Sequence, residues 1–320
     1  KETLWVGIVF TILASIGFWG SIVFYNAYLP EVAHPEQQDK VSAKGFMLGY
    51  SGSILLLLIC LILIETEVFG LYDKQFGSQI SFVLVGLWWL GFAQITYKKL
   101  PNTEKITLPK DNYFLKGIKE FKKVAKELFE YSELKTFLIA FFLLSIGVQT
   151  IILMAGIFGT ILGLETANLI GTILLVQFVG ILGAFLFSRL SNKIGNIKTL
   201  KITIAIWGLV CFIGFNLTKD TPNINIYFYV LGDLFGLVMG AIQSLARSTY
   251  SKLLPKTEDH ATYFSFYDVT EKIAIVLGTF VYGFLYSITD SMQYSVLCLA
   301  IFFVAAFIVL STLKKTEYVR

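Results

Sequence analysis

Charge is what this chain has least of. Asp, Glu, Lys and Arg make up 15% of its 320 residues, against about a quarter in soluble domains. That shortage excludes a water-soluble globule, because 56% of the residues are apolar and no folded surface could hide them all from water. Histidine is nearly missing: His34 and His260 both fall in charged stretches and read as solvated loop residues. Cysteine is also scarce. Cys60, Cys211 and Cys298 lie singly in apolar runs without a CxxC, which argues against a disulfide framework and against a metal site. There is no HExxH, no GxSxG and no GxxxxGK(S/T), so neither an enzyme nor an ATP-driven machine is expected, and no cofactor and no nucleic-acid partner.

What the chain has in abundance is long apolar runs, and its mean hydropathy is +0.71. A bilayer core needs about 20 apolar residues per helix. Nine runs qualify, near 4–28, 44–64, 78–97, 136–158, 166–188, 199–217, 224–246, 264–288 and 292–313. The first is too long and too rich in aromatic residues for a signal peptide. The spacing predicts an all-α, polytopic helical bundle in a bilayer. Of the 26 basic residues, all but Lys1, Lys74 and Lys219 fall on one side of an alternating topology, and that side is expected to be the cytoplasm. The C-terminus then lies inside. The opposite loops are acidic or neutral, as in ETEVFGLYDK (65–74).

The longest loop, 98–135, carries ten lysines and six acids. Within it Leu115, Ile118, Phe121, Ala125 and Leu128 share one helical face with lysines opposite, a pattern suited to a helix lying on an anionic leaflet. A solvated linker helix is the plainer alternative.

Two short stretches match: Tyr25 to Pro30 and Tyr250 to Pro255 both read Y-x-x-x-L-P, each where a span reaches the basic side. Their equivalent placement suggests an internal duplication. If spans one to three repeat as spans seven to nine, the nine are the last of twelve, and three further spans, about a hundred residues, are expected ahead of them. The basic decapeptide RLSNKIGNIK (189–198) then sits between the second and third spans of the C-terminal half. It resembles the loop G-x-L-x-D-R-x-G-R-K of the major facilitator superfamily through Leu190, Lys193 and Gly195, with Asn192 in the acidic position. The loss of that acid removes the gating ion pair it would make. Basic residues anchoring a loop would explain the charge without a gate, but not Gly195, which permits a tight turn.

Further stretches resemble one branch of that superfamily, the vacuolar-effluxer-like (autophagy-related) family, which has bacterial members. They are VFYNAYLPEVA (23–33), DKVSAKGFMLGYSGS (39–53), GLWWLGFAQ (86–94), GAIQSLARSTYSKLLP (240–255) and YFSFYDVTEKIAIVLGTFVYG (263–283). The resemblance implies a major facilitator fold of two pseudo-symmetric six-helix halves, here nine of twelve spans. Residues 1–97 would be the last three helices of the N-terminal half, 98–135 a cytoplasmic linker with an amphipathic helix, and 136–320 the C-terminal six-helix half. It also implies a bacterial inner membrane location and a solute cargo, linked in fungi to amino acids.

Polar residues within the spans are the site candidates. Asp233 lies well inside the seventh span, where an ionised carboxylate costs about 2.5–3.5 kcal/mol and must face protein or water; it is the candidate proton carrier, unless it only caps or pairs locally. Gln94, Gln149 and Gln177 each need a hydrogen bond, between helices or to a polar substrate; Gln243 and Asn26 extend the pathway toward the basic side. Arg247 could hold a carboxylate or merely snorkel. Asp268, Glu271 and Lys272 open the eighth span, and the i,i+4 order of Asp268 and Lys272 favours a local ion pair; an inner gate is the rival. Arg189, Lys193 and Gly195 complete the gate candidates. Small residues recurring every four positions, at Gly232, Gly236 and Gly240 and at Gly180, Ala184 and Ser188, read as close helix packing. So do Gly45, Gly49 and Ser53.

The function expected is secondary active transport of a small polar solute by alternating access, with protons as candidate coupling ion. A non-transporting scaffold or receptor derived from a transporter fold is the alternative. No obligate protein partner is implied beyond solute and bilayer.

Overall fold

The computed structural model describes residues 2–65, 73–100, 113–257 and 259–313. The expectations placed on Lys1, on most of the loop 65–74 and on the segment 314–320 lie outside them, as does the side chain of Leu115. Among the described residues there is no strand, and nine helices are long and apolar enough to cross a membrane. They are α1 (Glu2–Ala27), α3 (Gln38–Glu65), α4 (Lys74–Lys99), α6 (Ser132–Ile161), α7 (Thr166–Ile194), α8 (Asn196–Asn216), α9 (Ile224–Leu253), α10 (His260–Thr289) and α11 (Met292–Ser311). The short α2 (Leu29–Val32) follows α1 directly, and α5 (Tyr113–Glu130) precedes α6. Helix is the form these runs must take, since hydrocarbon offers the backbone no other hydrogen-bond partner.

Most helices run several residues beyond the apolar stretch that marks them. Helix α3 begins at Gln38, six residues before its apolar run, and α9 ends at Leu253, seven after its own. These extensions carry the polar side chains that form the site. The lines between helices are sharp where the chain supplies a cap or a glycine. Asp73 and Asp259 cap α4 and α10 by accepting from the backbone N–H of Phe76 and Thr262. Gly195, at φ +91°, is the whole connection between α7 and α8, a conformation that suits glycine best.

Helices α7 and α9 meet along a seam of glycines. A Cβ at Gly240 would collide with the Gly180 carbonyl, one at Gly236 with Val176 and one at Gly183 with Leu237. Backbones can approach this closely only because those side chains are absent. Gly45 faces Tyr25 and Arg247, whereas Gly49 has open space, so the α3 stripe is only partly packed. Helices α8 and α11 close the outer side of the six-helix group, where Trp207 lies edge-on to Phe235 and stacked on Phe303. Helices α1 and α3 reach this group through α7, α9 and α10.

Helix α5 is set on protein. Val124 and Leu128 are buried, Phe121 stacks on Phe266 at 4.0 Å, and Glu127 accepts from the Tyr263 hydroxyl at 3.2 Å. Its apolar face therefore packs on α6 and α10, while Lys119, Lys122, Lys123 and Lys126 remain exposed. Only Ile118 of that face is left uncovered among its described side chains.

Candidate functional site

At the end of the bundle where α1, α7 and α9 finish and α3, α8 and α10 begin, polar side chains are buried between α1–α3 and the six-helix group. They form two networks. In the first, Asp39 of α3 is 1% exposed and pairs with Lys252 of α9 at 2.8 Å. Its carboxylate also accepts from the Ser191 hydroxyl at 2.9 Å and the Asn196 amide at 2.8 Å. Asn196 in turn accepts from Lys252 at 3.1 Å and donates to Thr249 at 3.0 Å. An ion pair so deeply desolvated needs further hydrogen bonds to persist, and Ser191 and Asn196 supply them here.

The second network centres on Arg247, 3% exposed. Its Nε donates to the Ser42 hydroxyl at 3.0 Å, one terminal nitrogen to the Ser42 carbonyl at 3.2 Å, and the other to Asn26 at 3.4 Å. Asn26 passes the interaction on by donating to both carboxylate oxygens of Asp268, at 3.3 and 3.4 Å. Tyr25 and Phe46 cover the guanidinium, with ring centroids 4.7 and 5.0 Å away. Four helices, α1, α3, α9 and α10, are thereby held together by one arginine.

A third group lies nearer mid-membrane, one turn beyond Asp268 on α10. Glu271 accepts from Gln149 of α6 at 2.5 Å and from Lys272 at 2.6 Å. The Lys272 ammonium rests 3.3 Å from the centroid of the Trp19 ring on α1. Glu271 is the twelfth residue of a thirty-residue helix and Gln149 the eighteenth of another, so the group sits well inside the span. Glu271 and Lys272 keep side-chain exposures of 17% and 30%.

These contacts reorder the sequence expectations. Asp268 and Lys272 do not pair: Asn26 draws Asp268 against α1, and Lys272, seated on Trp19, turns to its neighbour Glu271. Arg247 does not snorkel. Arg189 and Lys193 are exposed and join neither network; Arg189 lies over Phe185 at 4.1 Å. The decapeptide contributes Ser191 and Asn196 instead, oriented by the one-residue turn at Gly195. Gln243 accepts from Tyr50 at 2.7 Å, which links α9 to α3 above Arg247. Asp233 is half-buried with no hydrogen bond or ion pair among the described residues, and Gln94 is exposed on α4, also without one. Gln177 lines a separate cavity. Asp39, Ser42, Lys252 and Trp19 escaped sequence reasoning: the first three stand outside the apolar runs that mark the spans, and Trp19 is not one of the polar residues within them.

The family model described as "Vacuole effluxer Atg22 like" matches residues 1–317. The chain belongs to that family. An uncharacterized MFS-type transporter, YxiO of Bacillus subtilis (strain 168), is 28% identical over 308 residues, covering 95% of this chain and 70% of YxiO. Autophagy-related protein 22-2 of Aspergillus clavatus is 28% identical over 268 residues, 76% of this chain and 43% of that protein. Autophagy-related protein 22 of Kluyveromyces lactis is 26% identical over 290 residues, 83% and 56% respectively. The chain thus spans about half the length of its fungal Atg22 relatives. With nine candidate spans and no strand among the described residues, its fold is that of a major facilitator-like, multi-pass membrane protein.

Proposed function

We propose that the chain forms most of a secondary active transporter for a small polar solute, working by alternating access. Helices α1, α3 and α4 belong to one half, residues 136–320 to the other, and α5 lies on the linker between them. The two basic-end networks act as the closed gate, with Asp39–Lys252 and Arg247–Asn26–Asp268 as its bolts. Glu271, Lys272 and Gln149 are the contacts for the solute. The observation that carries this reading is the placement of charge. Buried ionic networks join α1 and α3 to the six-helix group at the basic end, and a partly exposed Glu–Lys pair lies beyond them, further along α10. The relative named as an MFS-type transporter supports transport as the class.

The basic end faces the cytoplasm of a bacterial inner membrane, consistent with its excess of lysine and arginine. Amino acids are the candidate cargo, as the resemblance to this family implies, and protons the candidate coupling ion. Asp233 and Glu271 are the acids available for that coupling. Reconstitution of the complete protein in proteoliposomes with an imposed pH gradient tests the proposal. Saturable uptake of a labelled amino acid is expected, lost in Glu271→Gln and kept in Gln94→Ala. Failure to move any amino acid, peptide, sugar or nucleoside contradicts it.

A further inference from the structure

Trp19 brings α1 to the Glu271 group. The Lys272 ammonium lies 3.3 Å from its ring centroid. Phe18 packs edge-on to Trp19, with centroids 4.9 Å apart, and also edge-on to Trp89 of α4 at 5.3 Å. The ring therefore belongs to an aromatic group of α1 and α4, while the cation on it comes from α10. Trp19 lies about two turns back from Asn26 along α1. Helix α1 thus meets a charged side chain of α10 twice, Asp268 at the basic end and Lys272 beside Glu271.

Within that group the ammonium has bonding capacity to spare. Each carboxylate oxygen of Glu271 already accepts one hydrogen bond, from Gln149 and from Lys272. The Lys272 ammonium carries three N–H donors and gives one to Glu271. It makes no other hydrogen bond among the described residues. The Trp19 face attracts the cation through the ring quadrupole, yet it does not cancel the charge. It fixes where the ammonium sits and leaves it able to donate again. A lysine held by nothing would have to give up its rotamer freedom when a solute arrives, and that ordering weakens binding.

We propose that Trp19 is a positioning residue: it presents Lys272 so that the ammonium binds an anionic group on the solute. The inference rests on the transport reading and deepens it, because it assigns a chemical feature to the cargo. Glu271 competes with that anionic group for the ammonium. Trp19, being neutral, holds the ammonium without competing.

The test keeps the shape of Trp19 and changes only the charge on its face. Mono-, di-, tri- and tetrafluorotryptophan, installed at position 19 of the complete protein by nonsense suppression, withdraw electron density from the ring stepwise. In proteoliposomes supplied with a mixture of labelled L-amino acids, the apparent KM should rise with each fluorine at unchanged kcat. The rise should reach about two- to fivefold in the tetrafluoro protein. The α-amides of the same amino acids, which lack the carboxylate, should not compete. A second readout needs no transport: the Lys272 ε-methylene resonance of lysine-labelled protein in detergent, assigned through its loss in Lys272→Gln. It should be shifted upfield by the indole ring current and lose that shift in Trp19→Leu. A flat KM series in a protein that transports, competition by the amides, or a Lys272 resonance without the shift overturns this inference and leaves the transport reading standing. A protein that moves none of the mixture ends the transport reading and this one with it.

Discussion

Two ion pairs of almost the same length tie α3 to its neighbours, and they do different work. Lys74–Glu65 joins α3 to α4 at 2.7 Å with side-chain exposures of 56% and 59%. Asp39–Lys252 joins α3 to α9 at 2.8 Å with exposures of 1% and 5%. Water competes for the first pair and salt screens it, so it contributes at most about 1 kcal/mol. The second has given up its hydration on both sides and depends on Ser191 and Asn196 to complete it. Distance alone would rank them equal; burial and the surrounding donors decide which one holds two groups of helices in register. A gate needs the second kind. It is stable while every member is present, and removing one member makes the closed arrangement costly.

Mutation should separate the two pairs. Asp39→Asn leaves Lys252 buried without a carboxylate, and a loss of about 3–5 kcal/mol is expected, read as a lower thermal unfolding midpoint in detergent. Adding Lys252→Met to that variant should recover part of the loss, because a buried pair replaced by apolar groups can be near neutral. No recovery in the double variant would mean that Asp39 acts through Ser191 and Asn196 and not through the lysine. Next in size is Ser191→Ala, which removes one donor from a buried carboxylate and should cost about 1.5–3 kcal/mol by the same readout. The smallest effect belongs to Lys74→Ala, below about 1 kcal/mol and shrinking further with added salt. A Lys74→Ala variant as damaged as Asp39→Asn would erase the distinction.

Hydropathy was enough to find the nine candidate spanning helices among the described residues, since each apolar run must become a helix in hydrocarbon. It could not show how far each helix continues. Once the apolar residues stop, backbone hydrogen bonding still extends α3 back to Gln38 and α9 on to Leu253, and both buried networks are built on those added turns. Arg247, Asp268, Glu271 and Gln149 stand out in sequence because charge or amide within a span demands an explanation. Asp39 and Lys252 do not, because beside other charges they look solvated. The i,i+4 rule favours Asp268 with Lys272, yet contacts from α1 override it: Asn26 takes the one and Trp19 the other. The decapeptide 189–198 shows both limits together. Its basic residues drew notice, but the side chains that reach the partner helix are neutral Ser191 and Asn196.

The most direct test of the gate is a distance. Spin labels at the exposed positions Lys40 on α3 and Lys193 on α7, with the three native cysteines replaced, report the separation at the basic end by double electron–electron resonance in nanodiscs. A single short distance is expected for the parent protein, and a second, longer population should emerge on introducing Asp39→Asn. Identical distributions in the two proteins would contradict the claim that these buried networks hold the basic end shut.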